Sequence, residues 1–317
     1  MEKRFFELRF HGNGMEYFKI IIVNLILCII TLGFYYPWAK AKTLNYLYSQ
    51  TSFENQPFVF TGTGNEMFKG FIKAFIFIAL LYAAVFSSVF LGSGGFVQIT
   101  ILVVYLIFIA IIPLILHGSY RYRMAKTQWS GIRFGYSGNR SELVKLFFRD
   151  LFFTLITFGI YGAWFSMNLR NYILGHVQMG NAKFKYNGNG GDYFVLNLKG
   201  YLLSIVTLGI YIFWWQKDLF DYYVNNLSLS DDEGNMYCKS SATGGEFAGL
   251  LIVNFLIIVF TLGLGYAWVA TRTLEFVMNH ILLKGDIDFE KLIQTQTDYS
   301  DATATDMADV FDFGFII

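Results

Sequence analysis

The 317-residue sequence has little charge: 15% of its residues are Asp, Glu, Lys or Arg, whereas soluble domains carry about 25%. The 24 lysines and arginines nearly balance the 23 aspartates and glutamates, so no strong field attracts nucleic acid or acidic lipid. A hydrophobic fraction of 55% and a mean hydropathy of +0.45 indicate a membrane protein. These values exclude a water-soluble two-domain enzyme, a disordered chain and a nucleic-acid-binding protein.

Cysteine and the usual signatures of catalysis are also scarce. Cys28 lies in an apolar run and Cys238 in a polar loop, which excludes a disulfide framework and a CxxC metal site. The four histidines have no zinc-ligand spacing, and no GxSxG elbow or Cys/His nucleophile pattern occurs. We therefore expect neither an enzyme nor a bound cofactor or metal.

Six apolar stretches are long enough to reach across or into a bilayer, whose hydrocarbon core is about 30 Å thick. The second and third are joined only by the segment from Gly92 to Gly95, which predicts a tight helical hairpin. Short alternating runs at 58–60 and 184–186 predict strands between the stretches. The stretches cover residues 17–38, 68–91, 96–116, 143–164, 193–215 and 247–268; they belong to a predicted membrane domain, 1–285, followed by an acidic tail, 286–317.

A Thr-(Leu/Phe)-Gly motif with a tryptophan five residues after the glycine occurs four times. A strand-like aromatic run, a glycine turn and often an acidic residue precede the apolar stretches. This spacing predicts an internal repeat of strand, glycine turn, apolar helix, Thr-x-Gly break, Trp and amphipathic helix. The predicted fold class is an all-α integral membrane protein with short β pieces. The residues expected at the helix breaks and in an interfacial aromatic belt are Gly33, Trp38, Gly159, Trp164, Gly209, Trp214, Gly263 and Trp268.

Five short segments match a known pattern: Phe10–Gly14, Tyr17-Phe18, Val23-Asn24, Ile30–Trp38 and Phe58–Gly64. With them the chain resembles the YjgN-like family of bacterial inner-membrane proteins, which carries a domain-of-unknown-function label. The pattern recurs more loosely to about Lys284. The resemblance implies a multi-pass protein of the bacterial inner (cytoplasmic) membrane and supplies no activity or catalytic residue. The third copy departs from the glycine pattern, with Arg140 near the position of the acidic residue.

Two topologies are consistent with the sequence. In the first, every apolar stretch crosses the bilayer; this is favoured because Lys40 and Lys42 would otherwise enter apolar depth. In the second, the four Thr-x-Gly units are re-entrant hairpins and all strands lie on one side. The segment from Glu16 to Ile30 supports the second, because it spans only about 22 Å as a helix.

Polar side chains interrupt the apolar stretches, where they are expected to face a polar path or to hydrogen-bond neighbouring helices. Asn24, Asp150 and Asn254 occupy matched positions, seven residues before a motif threonine. We predict that Lys199 pairs with Asp150, because the adjacent Arg149 and Asp150 do not share a helix face. The candidate polar path comprises Asn24, Arg149, Asp150, Asn197, Lys199 and Asn254.

Repeated helical units with polar midpoints and broken helices are typical of transporters and channels. The first hypothesis is therefore a small-solute or ion transporter or channel. The alternative is a non-transporting membrane scaffold or envelope-interaction protein that docks partners on its strands and acidic tail. We expect membrane lipids, and not nucleic acid, as partners. The sequence is also consistent with a homo-oligomer and with an unidentified protein partner.

Overall fold

The computed structural model describes residues 4–92, 94–231 and 234–295. In this part of the chain, pairs of helices alternate with pairs of short strands. The predicted strand runs at 58–60 and 184–186 lie in the fourth and eighth strands. The strands are β1 (Arg4–Phe6), β2 (Leu8–Phe10), β3 (Thr51–Phe53), β4 (Gln56–Phe60), β5 (Thr127–Trp129), β6 (Ile132–Tyr136), β7 (Val177–Met179), β8 (Ala182–Tyr186), β9 (Leu227–Ser230), β10 (Asn235–Ser240) and β11 (Ile281–Gly285).

These strands form one antiparallel sheet whose two ends are neighbours in the chain. The order begins with β1 on β11, passes through the remaining strands in reverse sequence order, and ends with β2 on β3. Only Glu7 separates β1 from β2, so the sheet closes into a ring, called the strand ring below. The fold class expected from the sequence is therefore correct in its helices but incomplete in its strands. The short β pieces pair with one another because their backbone N–H and C=O groups need hydrogen-bond partners. The sequence pattern of a single strand does not show which strand is its partner.

One apolar cluster fills the interior of the strand ring. Its buried side chains come from strands on all sides of the ring, so they converge inside it: Phe53, Trp129, Phe134, Val177, Met179, Ala182, Leu229, Met236 and Leu283. The segment after β11 packs on this cluster, with the Phe289 ring centroid 4.9 Å from that of Phe53 and 5.6 Å from that of Trp129. The first part of the predicted acidic tail, 286–295, thus covers the ring interior. The rest of the tail lies outside the described residues.

The helices form five pairs: four connect one pair of strands to the next, and the last connects β9 and β10 to the single strand β11. The first helices of the pairs are α1 (Gly14–Ile30), α3 (Gly64–Leu91), α5 (Arg140–Ile156), α7 (Gly190–Val206) and α9 (Gly244–Phe260). The returning helices are α2 (Tyr36–Ser49), α4 (Gly94–Lys126), α6 (Gly162–Gly175), α8 (Ile212–Asn225) and α10 (Tyr266–Asn279). Each helix packs against the helix before and after it, and α10 packs against α1, so the helices also close into a ring.

Four of the pairs turn at the Thr-x-Gly motif; the exception is α3–α4. In α1–α2, the first helix has 17 residues and the returning helix 14, and the other three short pairs have the same lengths. At the turn, Leu32 has a φ of 50° and Gly33 a φ of 91°. The Thr31 hydroxyl accepts a hydrogen bond from the Tyr35 amide at 2.9 Å. Glycine suits the second position because its φ lies in the left-handed region, which other residues rarely adopt.

Both ends of each short pair lie at the strand ring. The apolar stretches at 17–38, 143–164, 193–215 and 247–268 therefore do not form single straight helices. Each contains most of the first helix of a pair, the Thr-x-Gly turn that reverses the chain, and the start of the returning helix. The topology with one straight crossing per stretch does not hold for these four. In the described residues, two helical segments are long and apolar enough to cross a bilayer: Gly64–Phe90 and Gly94–Lys126. They meet at the predicted hairpin, and the 28-residue α3 is about 42 Å long.

A tryptophan of each short pair packs on the glycine that begins the next pair's first helix. A Cβ added to Gly244 would lie 2.5 Å from Trp214 Cδ1, so the ring occupies the space of a side chain. The helix α4 contains no tryptophan, and α5 after it begins with Arg140 in place of glycine. Without a tryptophan ring from α4, the first residue of α5 does not have to be glycine, which explains why Arg140 departs from the glycine pattern. The contacts are Trp38 on Gly64, Trp164 on Gly190, Trp214 on Gly244 and Trp268 on Gly14.

We expect Gly244→Ala to lower the free energy of unfolding by about 1–3 kcal/mol, because the added methyl group overlaps the Trp214 ring. Gly245→Ala is the matched control: nothing lies within 4 Å of its added Cβ. This exchange should stabilise the helix by up to about 1 kcal/mol, because alanine is the better helix former. Thermal unfolding of detergent-purified variants, followed by circular dichroism, measures both effects. Equal unfolding temperatures for the two variants would contradict the role of the contact.

Candidate functional site

The matched asparagines of the candidate path connect the two helices of their own pairs. Asn24 is buried, and its side-chain amide donates a hydrogen bond to the Ala39 carbonyl of α2 at 3.2 Å. Asn254 is also buried, and its amide donates to the Thr273 hydroxyl of α10 at 3.0 Å. These are helix–helix hydrogen bonds, the second of the two roles expected from the sequence.

Asp150 has no exposed surface and uses both carboxylate oxygens inside its own helix pair. Its Oδ1 accepts from Arg149 Nε at 2.7 Å, and its Oδ2 accepts from the Asn168 amide of α6 at 2.8 Å. The predicted pairing of Asp150 with Lys199 is therefore wrong. Although the Cβ atoms of residues 149 and 150 diverge, the arginine side chain is long enough to bring its guanidinium back to the neighbouring carboxylate.

The remaining candidates lie on α7. The Asn197 amide donates to the Tyr193 carbonyl of its own helix at 2.7 Å. Gly200 occupies the position that matches Asp150, and the Trp215 ring of α8 fills the space that a side chain would need. Lys199 is exposed and lines a cavity between α7 and α8. Within the described residues, no hydrogen bond or ion pair joins candidates from different helix pairs, so a continuous polar path stays a prediction.

A tyrosine of three returning helices clamps the start of the first helix in the same pair, a role that sequence reasoning missed. The Asn13 amide donates to the Tyr46 hydroxyl at 2.8 Å, and that hydroxyl donates to the Asn13 carbonyl at 3.0 Å. Tyr172 clamps Asn139 in the same way, and Tyr222 clamps Asn189. The sequence contains one signal of this role: each of these tyrosines lies fifteen residues after a motif threonine.

The helix starts at the glycine turns already have ligands from the protein. The Asn13 side chain accepts from the Met15 amide at 2.8 Å, and Asn189 accepts from the Gly191 amide at 2.7 Å. An acidic residue follows in the first turn of both helices: Glu16 in α1 and Asp192 in α7. These helix ends therefore do not present the free N–H groups that phosphate binding requires.

Two cavities lie in equivalent places, each between the two helices of its own pair. The α7–α8 cavity has a volume of about 440 Å³ and is lined by Asp192, Val195, Leu196, Lys199, Gly200, Tyr211, Asp218, Asp221 and Tyr222. The α9–α10 cavity has a volume of about 360 Å³ and is lined by Glu246, Leu250, Arg272, Glu275, Phe276, Asn279 and His280. Their linings differ in charge, because Arg272 occupies the position of Asp218.

No group of three or more His, Cys, Asp and Glu side chains suited to a metal ion occurs in the part of the chain that the structure describes. His176 and His280, which share a position nineteen residues after a motif threonine, each hydrogen-bond to a backbone carbonyl one turn earlier, in α6 and α10. The His176 Nδ1 lies 2.6 Å from the Tyr172 oxygen, and the His280 Nδ1 lies 2.7 Å from the Phe276 oxygen. Both histidines thus cover the end of a returning helix.

We expect Asp150→Ala to lower the free energy of unfolding by about 3 kcal/mol, because it removes a buried carboxylate that binds two partners. Asn197→Ala is the control within the candidate set, because its amide binds only its own helix. That exchange should change the unfolding free energy by less than about 1 kcal/mol. Chemical unfolding in detergent measures both; similar losses in the two variants would contradict the helix-pair role of Asp150.

Burial raises the pKa of the Cys238 thiol to about 12. We therefore expect iodoacetamide at about pH 8 to alkylate Cys238 about a thousandfold more slowly than an ordinary exposed thiol, because only the thiolate reacts. The matched control is Tyr237→Cys with Cys238→Ser, since Tyr237 is the exposed neighbour in the same strand. Mass spectrometry of timed reactions gives both rates, and comparable rates would show that the thiol is not protected.

The chain shares sequence with known bacterial proteins. A family model described as "Bacterial protein of unknown function (DUF898)" matches residues 6–187, 181–234 and 215–310. Inner membrane protein YjgN of Salmonella typhimurium is 35% identical over 129 residues, which are 41% of this chain and 31% of that protein. Inner membrane protein YjgN of Escherichia coli O157:H7 is 37% identical over 129 residues, which are 40% and 30% of the two chains. No solved structure matches.

The aligned region covers less than a third of the length of these curated relatives. Their names support a location in the inner membrane, as the sequence motifs predicted. The family model, by contrast, extends over most of the present chain. The chain therefore belongs to the YjgN-like family of bacterial inner-membrane proteins, whose function is unknown.

Proposed function

We propose that the protein is a one-sided membrane platform, the scaffold alternative of the two hypotheses. In this proposal the four short helix pairs dip into the membrane and return, α3–α4 crosses it, and the strand ring lies at the membrane surface as a docking face. One observation carries the proposal: both ends of every helix pair join the strand ring. Its repeated helix pairs would then serve to anchor the ring at several points.

The distribution of charge along the chain supports this placement. Uncharged segments run through the turn of each pair, while Asp, Glu, Lys and Arg occur toward the strand ring. A charged side chain at the bilayer centre costs at least about 2.5 kcal/mol, so such segments mark the parts that can lie in hydrocarbon. The uncharged segments are 20–39, 74–116, 151–169, 200–216 and 247–271.

The tips of the short pairs are apolar and project away from the rest of the protein. The side chain between threonine and glycine is 97% exposed at Phe158 and 95% exposed at Leu208. Leu32 and Leu262 project at the other two tips in the same way. Transfer of such a side chain from water to hydrocarbon is favourable by about 1.5–3 kcal/mol, so four tips anchor the same face of the molecule.

In the sequence, the cations of the returning helices favour spanning helices over re-entrant hairpins. In the structure, Lys42 and Arg170 contact aromatic rings. Lys42 Nζ lies 5.4 Å from the Tyr35 ring centroid, and the Arg170 guanidinium carbon lies 4.0 Å from that of Tyr223. Such cation–π contacts contribute about 0.5–2 kcal/mol and offset part of the cost of desolvation. The expense of bringing these side chains toward the membrane is therefore smaller than the sequence suggests.

The proposed orientation places the strand ring in the cytoplasm. The segment 92–95, where α3 ends and α4 begins, has no Lys or Arg. The opposite ends of these two helices are basic, which the positive-inside rule assigns to the cytoplasmic side. The basic residues are Lys69, Lys73, Arg121, Arg123 and Lys126.

The transport hypothesis has less support. A path across the bilayer needs several crossing segments around it, and only α3 and α4 in the described residues have the required length and composition. The polar groups proposed to line the path instead bind within their own helix pairs, as Asn24 and Asp150 do.

A labelling experiment with single cysteines tests the platform. We expect an impermeant maleimide to label Gly94→Cys in intact cells, because Gly94 begins α4 at the far end of the α3–α4 hairpin and has open space for a side chain. Ser137→Cys, after β6 of the strand ring, should be labelled only after permeabilisation. Leu208→Cys, at the tip of α7–α8, should stay unlabelled in both conditions, because lipid covers it. All variants carry Cys28→Ala and Cys238→Ser.

The parent with both native cysteines replaced is the control for background labelling. Reaction of Leu208→Cys in intact cells would mean that the short pairs reach the opposite surface and would overturn the platform. Reaction of Ser137→Cys before permeabilisation would overturn the proposed orientation.

A further inference from the structure

We propose that the α7–α8 cavity binds the headgroup of a phospholipid that carries both a phosphate and a primary ammonium. Lys199 would bind the phosphate, and Asp192 and Asp221 would bind the ammonium. This inference rests on the proposed function, because it requires the short helix pairs to lie in lipid.

The lining of the cavity fits a headgroup that carries both charges. The cavity extends from Asp192, in the first turn of α7, to Tyr211, at the turn before α8. Between these ends its wall includes the apolar side chains Val195 and Leu196. Along α7, Asp192 lies nearest the strand ring and Lys199 lies closer to the tip, so the cavity of about 440 Å³ offers an acidic and a basic group at separate places, as the ammonium and the phosphate of one headgroup require.

Lys199 lacks an ion-pair partner, whereas its counterpart in the preceding short pair has one. Arg149 occupies the matched position on α5, and its Nε lies 2.7 Å from Asp150 Oδ1. On α7 the residue after Lys199 is Gly200, and the Trp215 ring fills the space beside it. Within the described residues Lys199 forms no ion pair. A phosphate at this place would supply the missing negative charge, since lysine commonly binds phosphate as a point charge.

The acidic side of the cavity has unused acceptor capacity. Lys217 Nζ lies 2.6 Å from Asp221 Oδ2, which leaves the buried Asp221 Oδ1 without a hydrogen-bond partner in the part of the chain described. The Asp192 carboxylate, at the same end, has no ion pair within the described residues. A primary ammonium offers three N–H donors to these oxygens, whereas a quaternary ammonium offers none.

The equivalent cavity between α9 and α10 lacks this arrangement. Val253 stands where α7 has Lys199, so no side chain there can bind a phosphate from the same position. Its acidic residue Glu246 already has a partner, since His280 Nε2 lies 3.6 Å from Glu246 Oε2. The proposal therefore concerns the α7–α8 cavity alone.

Native mass spectrometry of the full chain can test the site. The protein is released from vesicles that contain equal amounts of phosphatidylethanolamine, phosphatidylglycerol and phosphatidylcholine with the same acyl chains. We expect the wild type to retain phosphatidylethanolamine in preference to the other two lipids. Lys199→Ala should reduce the retained phosphatidylethanolamine about tenfold, the loss expected for one charged hydrogen bond. Lys199→Arg should keep it.

Two further variants separate the site from general effects. Asp192→Asn should remove the preference for phosphatidylethanolamine over phosphatidylcholine, because it weakens the contact with the ammonium. Lys145→Ala is the matched control, since Lys145 is an exposed cation of α5 that does not line the cavity. It should retain lipid like the wild type.

Equal retention of the three lipids by the wild type, or unchanged retention in Lys199→Ala, would overturn the headgroup site and leave a cavity filled by water. Neither result bears on the cysteine labelling pattern, so the platform can hold when this site fails. Labelling of Leu208→Cys from outside would instead overturn the platform itself, whatever lipid the protein retains.

Discussion

The contact between a tryptophan ring and a helix-starting glycine is the interaction on which the rest of the structure depends. Because glycine has no Cβ, the ring lies directly against the backbone, and each short pair is held to the next. The last contact, Trp268 on Gly14, joins the final helix to the first and closes the helix ring. Where the tryptophan is missing, before α5, Arg140 takes the glycine position.

A second group of glycines follows the same steric rule. A Cβ on Gly12 or Gly188 would overlap the aromatic ring two residues earlier, Phe10 or Tyr186. In the last pair the residue two positions earlier is Ser240, and an alanine, Ala242, stands in place of the glycine. Glycine therefore occurs in these turns where a ring needs the space, which explains why the pattern is interrupted where the ring is absent.

In the closed ring, the short strands and the buried polar residues find their hydrogen-bond partners in different ways. Strands as short as the three residues of β3 are not stable alone, and only pairing on both sides around the ring satisfies their backbone groups. The buried carboxylate of Asp150 finds both of its partners, Arg149 and Asn168, within its own helix pair. The charges then lie near the ring and the apolar tips lie away from it, which is the arrangement on which the proposed membrane platform rests.

The sequence alone determined the parts of the fold that depend on neighbouring residues. The glycine and Thr-x-Gly spacing predicted where helices begin and end, the low charge indicated a membrane protein, and the motifs identified the family. Sequence-based prediction is less accurate where contacts join distant residues. Gly14 and Trp268 meet only when the ring closes, and the partner of Asp150 depends on the path of a long side chain. The closed sheet, the folding of four apolar stretches into hairpins and the cavity beside Lys199 were decided by tertiary structure, because each arises from packing between segments whose spacing in the sequence does not reveal their contact.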